Sequence, residues 1–182
     1  MNGNSECIPT GLAQRLQAIR LVVFDVDGVL TDGRLILGDD GQEYKAFNAK
    51  DGHGIRMLAE SGVQIAILTG RNSRVVDRRA ADLGIELIIQ GRRDKLPAFE
   101  ELLAKTGLKA HQTAYAGDDI VDLPVMRRVG LSAAVADASP LVRQHAHWTS
   151  RCKGGQGAAR ELCELIMQAQ GTLEDRLARY LR

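Results

Sequence analysis

An α/β fold with a doubly wound parallel sheet is predicted by three observations. Short β-rich runs alternate with helix-like segments along most of the 182 residues. The runs are nearly continuous in apolar residues, as in a parallel sheet covered on both faces. Residues able to do chemistry fall just after those runs, where α/β sheets bind ligands.

Each element has its own signal. The strands read as Leu21 to Asp25, Val63 to Thr69, Glu86 to Gln90, Thr113 to Gly117 and Leu131 to Val135. Amphipathic stretches between them are expected as helices near Gly54 to Ser61, Ser73 to Leu83, Lys95 to Thr106 and Val121 to Val129. A further helix over Ala158 to Ala169 follows the glycine-rich Gly154 to Gly157. One segment breaks the alternation. Arg34 to Phe47 reads as two short strands around the turn Gly38 to Gly41, a β-hairpin. An isolated hairpin is marginally stable, so this one is expected to serve as a flap or an oligomer contact. No repeat, linker or low-complexity segment interrupts the chain, and residues 1–182 are expected to form one Rossmann-like domain.

Composition narrows the function. Apolar residues make up 45% and charged residues 26%, ordinary for a globular protein, and the net charge is +1. Neither a nucleic-acid partner nor an acidic tail is expected. No apolar run reaches the roughly 20 residues of a membrane span. Met1 to Gly11 is polar, without the apolar core of a signal peptide. Cys7, Cys152 and Cys163 show no Cys-x-x-Cys spacing, so free thiols in a reducing cytoplasm are expected.

Four groups carry the chemistry. Asp25 and Asp27 follow the run Leu21 to Phe24. In an extended chain, positions i and i+2 face the same way, so their carboxylates are expected to crowd and to need a cation. Hard oxygen ligands suit magnesium. Thr69 ends the second run and precedes Gly70 and Arg71; Lys95 follows the third; Asp118, Asp119 and Asp122 follow the fourth. Parallel strands bring these ends to one edge. A carboxylate can attack phosphorus, a second can move the proton, and a metal, a lysine and a hydroxyl can hold the phosphoryl oxygens. Each signal is weak alone; together, and in this order, they point to phosphoryl transfer.

On these residues the chain resembles the haloacid dehalogenase superfamily of phosphohydrolases. The resemblance implies Asp25 as nucleophile and Asp27 as general acid/base, with Thr69 and Lys95 holding the phosphoryl group. It implies Mg2+ held by the Asp25 carboxylate, the Asp27 main-chain carbonyl and Asp118, and leaves Asp119 and Asp122 unranked. The spans from Asp27 to Thr69 and from Lys95 to Asp118 have no room for a cap domain. An open site suits a small substrate poorly, so the substrate is large or another subunit supplies a lid.

Finer motifs favour the second option. Asp25 to Gly33, Tyr44 to Asn48, Lys50 to Arg56, Gly117 to Met126, Val135 to Pro140 and Gly154 to Ala158 are similar to the 3-deoxy-D-manno-octulosonate 8-phosphate phosphatase family. That resemblance implies a homotetramer with active sites at subunit interfaces, releasing phosphate from an eight-carbon sugar-acid phosphate made for lipopolysaccharide. It implies substrate contacts at Asp27, Asn48, Ala49, Lys50, Asp51, Gly52, Arg56, Arg71, Arg79 and Lys95. Arg71, directly after the second strand, suits two-pronged binding of a carboxylate. His53 lacks a partner histidine at ligand spacing and is expected to pack locally or to face the substrate. The tail 171–182, with Leu173, Leu177 and Leu181 at helical spacing, is expected either to reach a neighbouring site or to lie as an amphipathic helix on the surface. Two alternatives stay open: a phosphatase for a nine-carbon sialic-type acid 9-phosphate, and a non-catalytic tetramerisation module. Against the second, Asp25, Asp27, Thr69, Lys95 and Asp118 are all present.

Overall fold

A computed structural model describes residues Pro9–Arg182; Cys7 lies outside them. Six parallel strands form one sheet in the order β5-β4-β1-β6-β7-β8. They are β1 (Leu21–Phe24), β4 (Gln64–Leu68), β5 (Leu87–Ile89), β6 (Thr113–Gly117), β7 (Leu131–Ala134) and β8 (Trp148–Thr149). The hairpin is a separate antiparallel pair, β2 (Ile36–Leu37) and β3 (Glu43–Tyr44), with Ile36 opposite Tyr44. Helices α1 (Thr10–Ala18), α2 (Ala49–Glu60), α3 (Arg74–Leu83), α4 (Lys95–Thr106), α5 (Leu123–Met126), α6 (Pro140–His145), α7 (Ala158–Ala169) and α8 (Leu173–Ala178) complete the chain.

β1 is wholly buried between β4 and β6. The chain first winds outward to β4 and β5, then returns to the other side of β1 for β6, β7 and β8. The crevice where that direction reverses opens at the carboxyl end of β1, the position at which open α/β sheets bind ligands. Phe24, Leu58, Phe99, Leu102, Tyr115 and Met126 are among the large side chains sealed in the core. Among the described residues there is no cap domain: β1 and α2 are joined through the hairpin alone.

The expected strands and hairpin are present, with ends shifted by no more than three residues. Three elements were not anticipated. α1 buries only Leu16 fully, so its apolar periodicity is thin; α6 is short, and β8 has two residues, too few to show a period. The Val121 to Val129 segment is a 3₁₀ turn, Ile120–Asp122, followed by the short α5.

α2 begins at Ala49, five residues before the expected start. Asn48 caps it, its Oδ1 accepting from the backbone N–H groups of Lys50 and Asp51 at 2.8 and 3.4 Å. Gly52 and Gly54 discourage a helix in isolation. Tertiary packing requires them: a Cβ at Gly52 would lie 2.2 Å from Arg79 Nη2, and one at Gly54 3.0 Å from the Arg160 backbone on α7.

The tail folds onto its own chain. Leu173 and Leu177 pack against the core, Arg176 and Arg179 reach Glu60 at 3.5 and 2.9 Å, and the Tyr180 ring stands edge-on to His53 at 5.3 Å. Leu181, the third residue of that helical spacing, stays exposed because the helix ends at Ala178. Cys152 and Cys163 are free thiols. No helix among the described residues is long and apolar enough to cross a membrane.

Candidate active site

Three strands adjacent at the crevice end on chemistry: β1 runs into Asp25, β4 into Thr69 and β6 into Asp118. Lys95, the first residue of α4, enters from beyond β5, with Asp94 capping the helix. Its ammonium lies 2.7 Å from Asp25 Oδ2, 2.6 Å from Asp122 Oδ1 and 3.2 Å from the Tyr115 hydroxyl. Asp25, Lys95 and Asp122 are all buried.

Asp122, which sequence reasoning left unranked, has a definite task. Its Oδ1 accepts from Lys95 and from the Tyr115 hydroxyl at 2.6 Å, and its Oδ2 accepts from the backbone N–H groups of Asp118 and Asp119 at 3.0 and 3.2 Å. It holds Lys95 in place and shapes the loop that carries Asp118. Asp119 caps the 3₁₀ turn through the Ile120 N–H. Tyr115 was missed: inside a buried strand it reads as one more aromatic core residue. Burial, and then the charges of Asp122 and Asp25, push its phenol well above the ordinary value, so it acts as a donor.

Asp25, Asp118 and Asp122 present oxygens within 4.8 Å of one another. Lys95 pairs with two of these three carboxylates, Asp25 and Asp122. Burial, followed by repulsion from Asp122, raises the Asp25 carboxyl to about 6 despite Lys95. Burial, then Asp122 and Asp25, raise Asp118 to about 7. Burial also disfavours the Lys95 charge, but Asp122 and Asp25 outweigh it and hold the ammonium above its usual range. A buried cluster of hard oxygen donors with excess negative charge fits a small divalent cation. A Cβ at Gly28 would strike Asp118 Oδ2 at 2.1 Å, so only glycine admits that carboxylate beside the β1 loop.

The expected crowding of Asp25 against Asp27 is not what the structure has. β1 ends at Phe24, and the chain turns at once, with Val29, Leu30 and Thr31 all donating to the Val26 carbonyl. The two-residue alternation of a strand no longer applies, and Asp27 departs toward the hairpin. There its carboxylate meets the Lys45 ammonium through Oδ1 and lies 3.8 Å from Arg71 Nε through Oδ2. Glu43 joins them, 3.3 Å from Lys45 and 3.2 Å from Arg71. Lys45 and Glu43 also escaped sequence reasoning. Their i, i+2 spacing around outward-facing Tyr44 was the available signal.

The remaining predicted contacts form a third group along α2 and α3. Ala49 and Lys50 are exposed in the first turn of α2. Asp51 is buried and turned inward, accepting from the N–H groups of Gly157 and Arg160 at 3.2 and 2.8 Å, so its carboxylate caps α7. Arg79 lies over the Phe47 ring and donates to the Asn48 carbonyl at 3.3 Å, beside Gly52. Arg56 donates to the Asp82 carbonyl. The glycine-rich loop closes the back of the site: Gly155 N–H donates to the Val29 carbonyl at 2.9 Å, and Asn48 Nδ2 to the Gly155 carbonyl at 3.2 Å.

Comparison with known proteins agrees with this geometry. A family profile described as haloacid dehalogenase-like hydrolase matches residues 84–162. The 3-deoxy-D-manno-octulosonate 8-phosphate phosphatase of Yersinia pestis is 52% identical over 161 residues, covering 88% of this chain and 86% of that protein. The chain belongs to the 3-deoxy-D-manno-octulosonate 8-phosphate phosphatase family. It is therefore a phosphoric monoester hydrolase of the haloacid dehalogenase superfamily. Solved structures of similar proteins have the same fold. A probable phosphatase of the YrbI family from Pseudomonas syringae is 57% identical, with a TM-score of 0.94 over 96% of this chain and 99% of that one. The Moraxella catarrhalis octulosonate phosphatase, crystallised with magnesium, phosphate and KDO, is 42% identical, with a TM-score of 0.91 over 92% of this chain and 97% of that one.

Proposed function

We propose that this chain hydrolyses 3-deoxy-D-manno-octulosonate 8-phosphate to the free sugar acid and phosphate, in lipopolysaccharide biosynthesis, as a cytoplasmic homotetramer. The observation that carries the reading is the buried Asp25–Lys95–Asp122 arrangement beside Asp118, in a chain 52% identical to a phosphatase of that name.

Asp25 attacks phosphorus through a carboxylate oxygen. The bond from phosphorus to the sugar oxygen breaks, its electron pair stays on that oxygen, and Asp27 supplies the proton. Asp27 then takes a proton from water, which attacks the aspartyl-phosphate and frees Asp25 and inorganic phosphate. Lys95 and the Thr69 hydroxyl bind the phosphoryl oxygens. Mg2+ is held by the Asp25 and Asp118 carboxylates with the Asp27 carbonyl, and supplies positive charge to the phosphoryl group. The segment Asn48 to Gly52, in which Asp51 turns its carboxylate inward to cap α7 and so fixes the turn, binds the sugar acid together with Arg56, Arg71 and Arg79. Among the described residues, Arg56 and Arg79 each donate to one carbonyl, while a guanidinium has five donors. Leu35, Ile36, Leu37 and Tyr44 form an exposed apolar strip on the hairpin, which supports assembly of subunits around it.

Side-by-side turnover tests the substrate. The eight-carbon phosphate should be preferred over the nine-carbon acid 9-phosphate by at least about tenfold in kcat/KM; the reverse preference would overturn the assignment. Light scattering should return the mass of four subunits, and a fully active single subunit would overturn the assembly.

The cluster also sets a pH dependence. Asp25 and Asp118 bind protons more tightly in the folded chain, with values of about 6 and about 7, than in the unfolded chain. Their contribution to stability is thus complete below the unfolded carboxylate range and is lost as pH rises through those values. The metal-free protein should melt at progressively lower temperature between about pH 4 and pH 8 from this term. Magnesium favours the ionised carboxylates, so it should raise the melting temperature more at pH 8 than at pH 5. Equal increments at both pH values would show that the cation binds elsewhere.

A further inference from the structure

The hairpin brings more to the site than a cover. Glu43 of β3 and Lys45, the residue directly after that strand, turn to one side and meet in an ion pair, while Tyr44 between them is exposed. The Lys45 side chain is only 1% exposed, although it leaves a surface strand. Its ammonium is spent inside the chain, on Asp27 Oδ1 and on Glu43 Oε1 at 3.3 Å. Glu43 in turn holds Arg71 at 3.2 Å, and Arg71 flanks Asp27 Oδ2 at 3.8 Å. Two anions and two cations therefore alternate in a ring that closes on the residue assigned to proton transfer.

Among the described residues, Asp27 has no other anchor of this kind. Asp25 is fixed by the end of β1, by the Val26 N–H on Oδ1 and by Lys95 on Oδ2. Asp27 lies in a turn, where strand geometry no longer dictates its side-chain direction. A sequestered lysine confined to Oδ1 leaves Oδ2, which among the described residues has Arg71 Nε at 3.8 Å, without a close hydrogen bond of its own. A surface ion pair would do this poorly, because two long side chains would stay mobile in water. Here the lysine is already immobilised by burial.

We propose that Lys45 is a positioning residue for the proton-transfer step: it holds Asp27 Oδ1 so that Oδ2 can deliver a proton to the leaving oxygen, and the hairpin sets that geometry within its own chain. The inference rests on the role given to Asp27 above, and the experiment separates the two.

The distinguishing property is leaving-group dependence. A sugar alkoxide must be protonated as it departs, whereas p-nitrophenolate departs unaided. The ratio kcat/KM reports the steps up to that departure. Lys45→Met keeps the length and apolar stem of the side chain and removes its charge. It should lower kcat/KM for 3-deoxy-D-manno-octulosonate 8-phosphate by about 30-fold or more, and for p-nitrophenyl phosphate by no more than about threefold, the first being a sizeable part of what general acid catalysis contributes. Asp27→Asn should show the same selectivity more strongly. Adding Lys45→Met to Asp27→Asn should then cost less than about threefold more, since both changes remove one function. Melting curves establish that each variant folds; Lys45→Gln, which retains a donor for Glu43, is read by the same criteria if Lys45→Met does not.

Equal losses with both phosphates, or no loss with either, would overturn the proposal. So would additive losses in the double variant. Should Asp27→Asn itself lack leaving-group selectivity, the assignment of Asp27 as proton carrier fails, and this inference with it. Selectivity in Asp27→Asn but none in Lys45→Met overturns the role of Lys45 alone. If another primary alkyl phosphate proves the better substrate, only the substrate assignment fails, and the same comparison runs on that phosphate.

Discussion

Asp25→Asn should abolish phosphate release, by at least about 10⁴-fold, while leaving the fold intact. The amide keeps the shape of the carboxyl but has no anionic oxygen to attack phosphorus. Folding should not suffer, and the reason lies in the cluster. Asp25 is buried with Asp122 against Lys95, with half-buried Asp118 beside them, and burial with repulsion from Asp122 already raises its carboxyl to about 6. Removing its charge relieves that repulsion, and Lys95 keeps Asp122 at 2.6 Å. The metal-free variant should therefore melt no lower than the parent at neutral pH. Phosphate assays and melting curves on the same preparations check both halves. Activity within tenfold of the parent would end the covalent mechanism.

Lys95→Met should fail in the opposite way, losing activity and stability together. Asp122 is fully buried and Asp25 nearly so, and Lys95 is the cation both of them touch. Taking away one partner of a buried ion pair typically costs about 3–5 kcal/mol, because the charge left behind is uncompensated. For a chain of this length that corresponds to a fall of roughly 6–20 °C in melting temperature. The Tyr115 hydroxyl and the backbone N–H groups of Asp118 and Asp119 remain on Asp122, so the fold itself should survive. Phosphoryl transfer should drop by about 10²-fold or more through loss of the charge facing the phosphoryl oxygens. A melting temperature equal to that of the parent would show that Lys95 is not the neutralising group. Asp25→Asn and Lys95→Met thus separate nucleophilicity from charge balance within one contact.

Much of this was legible in the chain. Leu21 to Phe24 could hardly be anything but a buried strand, and the residue types after each apolar run named the chemistry. Alternation then implied a doubly wound parallel sheet, though not the order of its strands. Where reading failed, the missing term was an interaction between distant segments. Gly52 and Gly54 argue against a helix by propensity, yet α2 passes through both, since Arg79 and α7 press against them. The family resemblance marks Asp51 as a substrate contact, and nothing in its neighbourhood along the chain announces its second task, to cap α7 more than a hundred residues further on. Tyr115 is unremarkable in its strand until Asp122 and Lys95 arrive beside it.

The sequence by itself determined the parallel sheet and the reactive groups at its carboxyl edge, because apolar run length, strand-end chemistry and spacing are local properties. Only the tertiary structure decided how those groups divide. It set Asp25 with Lys95, Asp118 and Asp122 in a buried, negatively charged pocket, and it sent Asp27 to Lys45 and Arg71 under the hairpin. That division depends on where β1 stops and on which distant charges meet each carboxylate, and charge compensation in a buried site is settled by distance in space rather than by spacing along the chain.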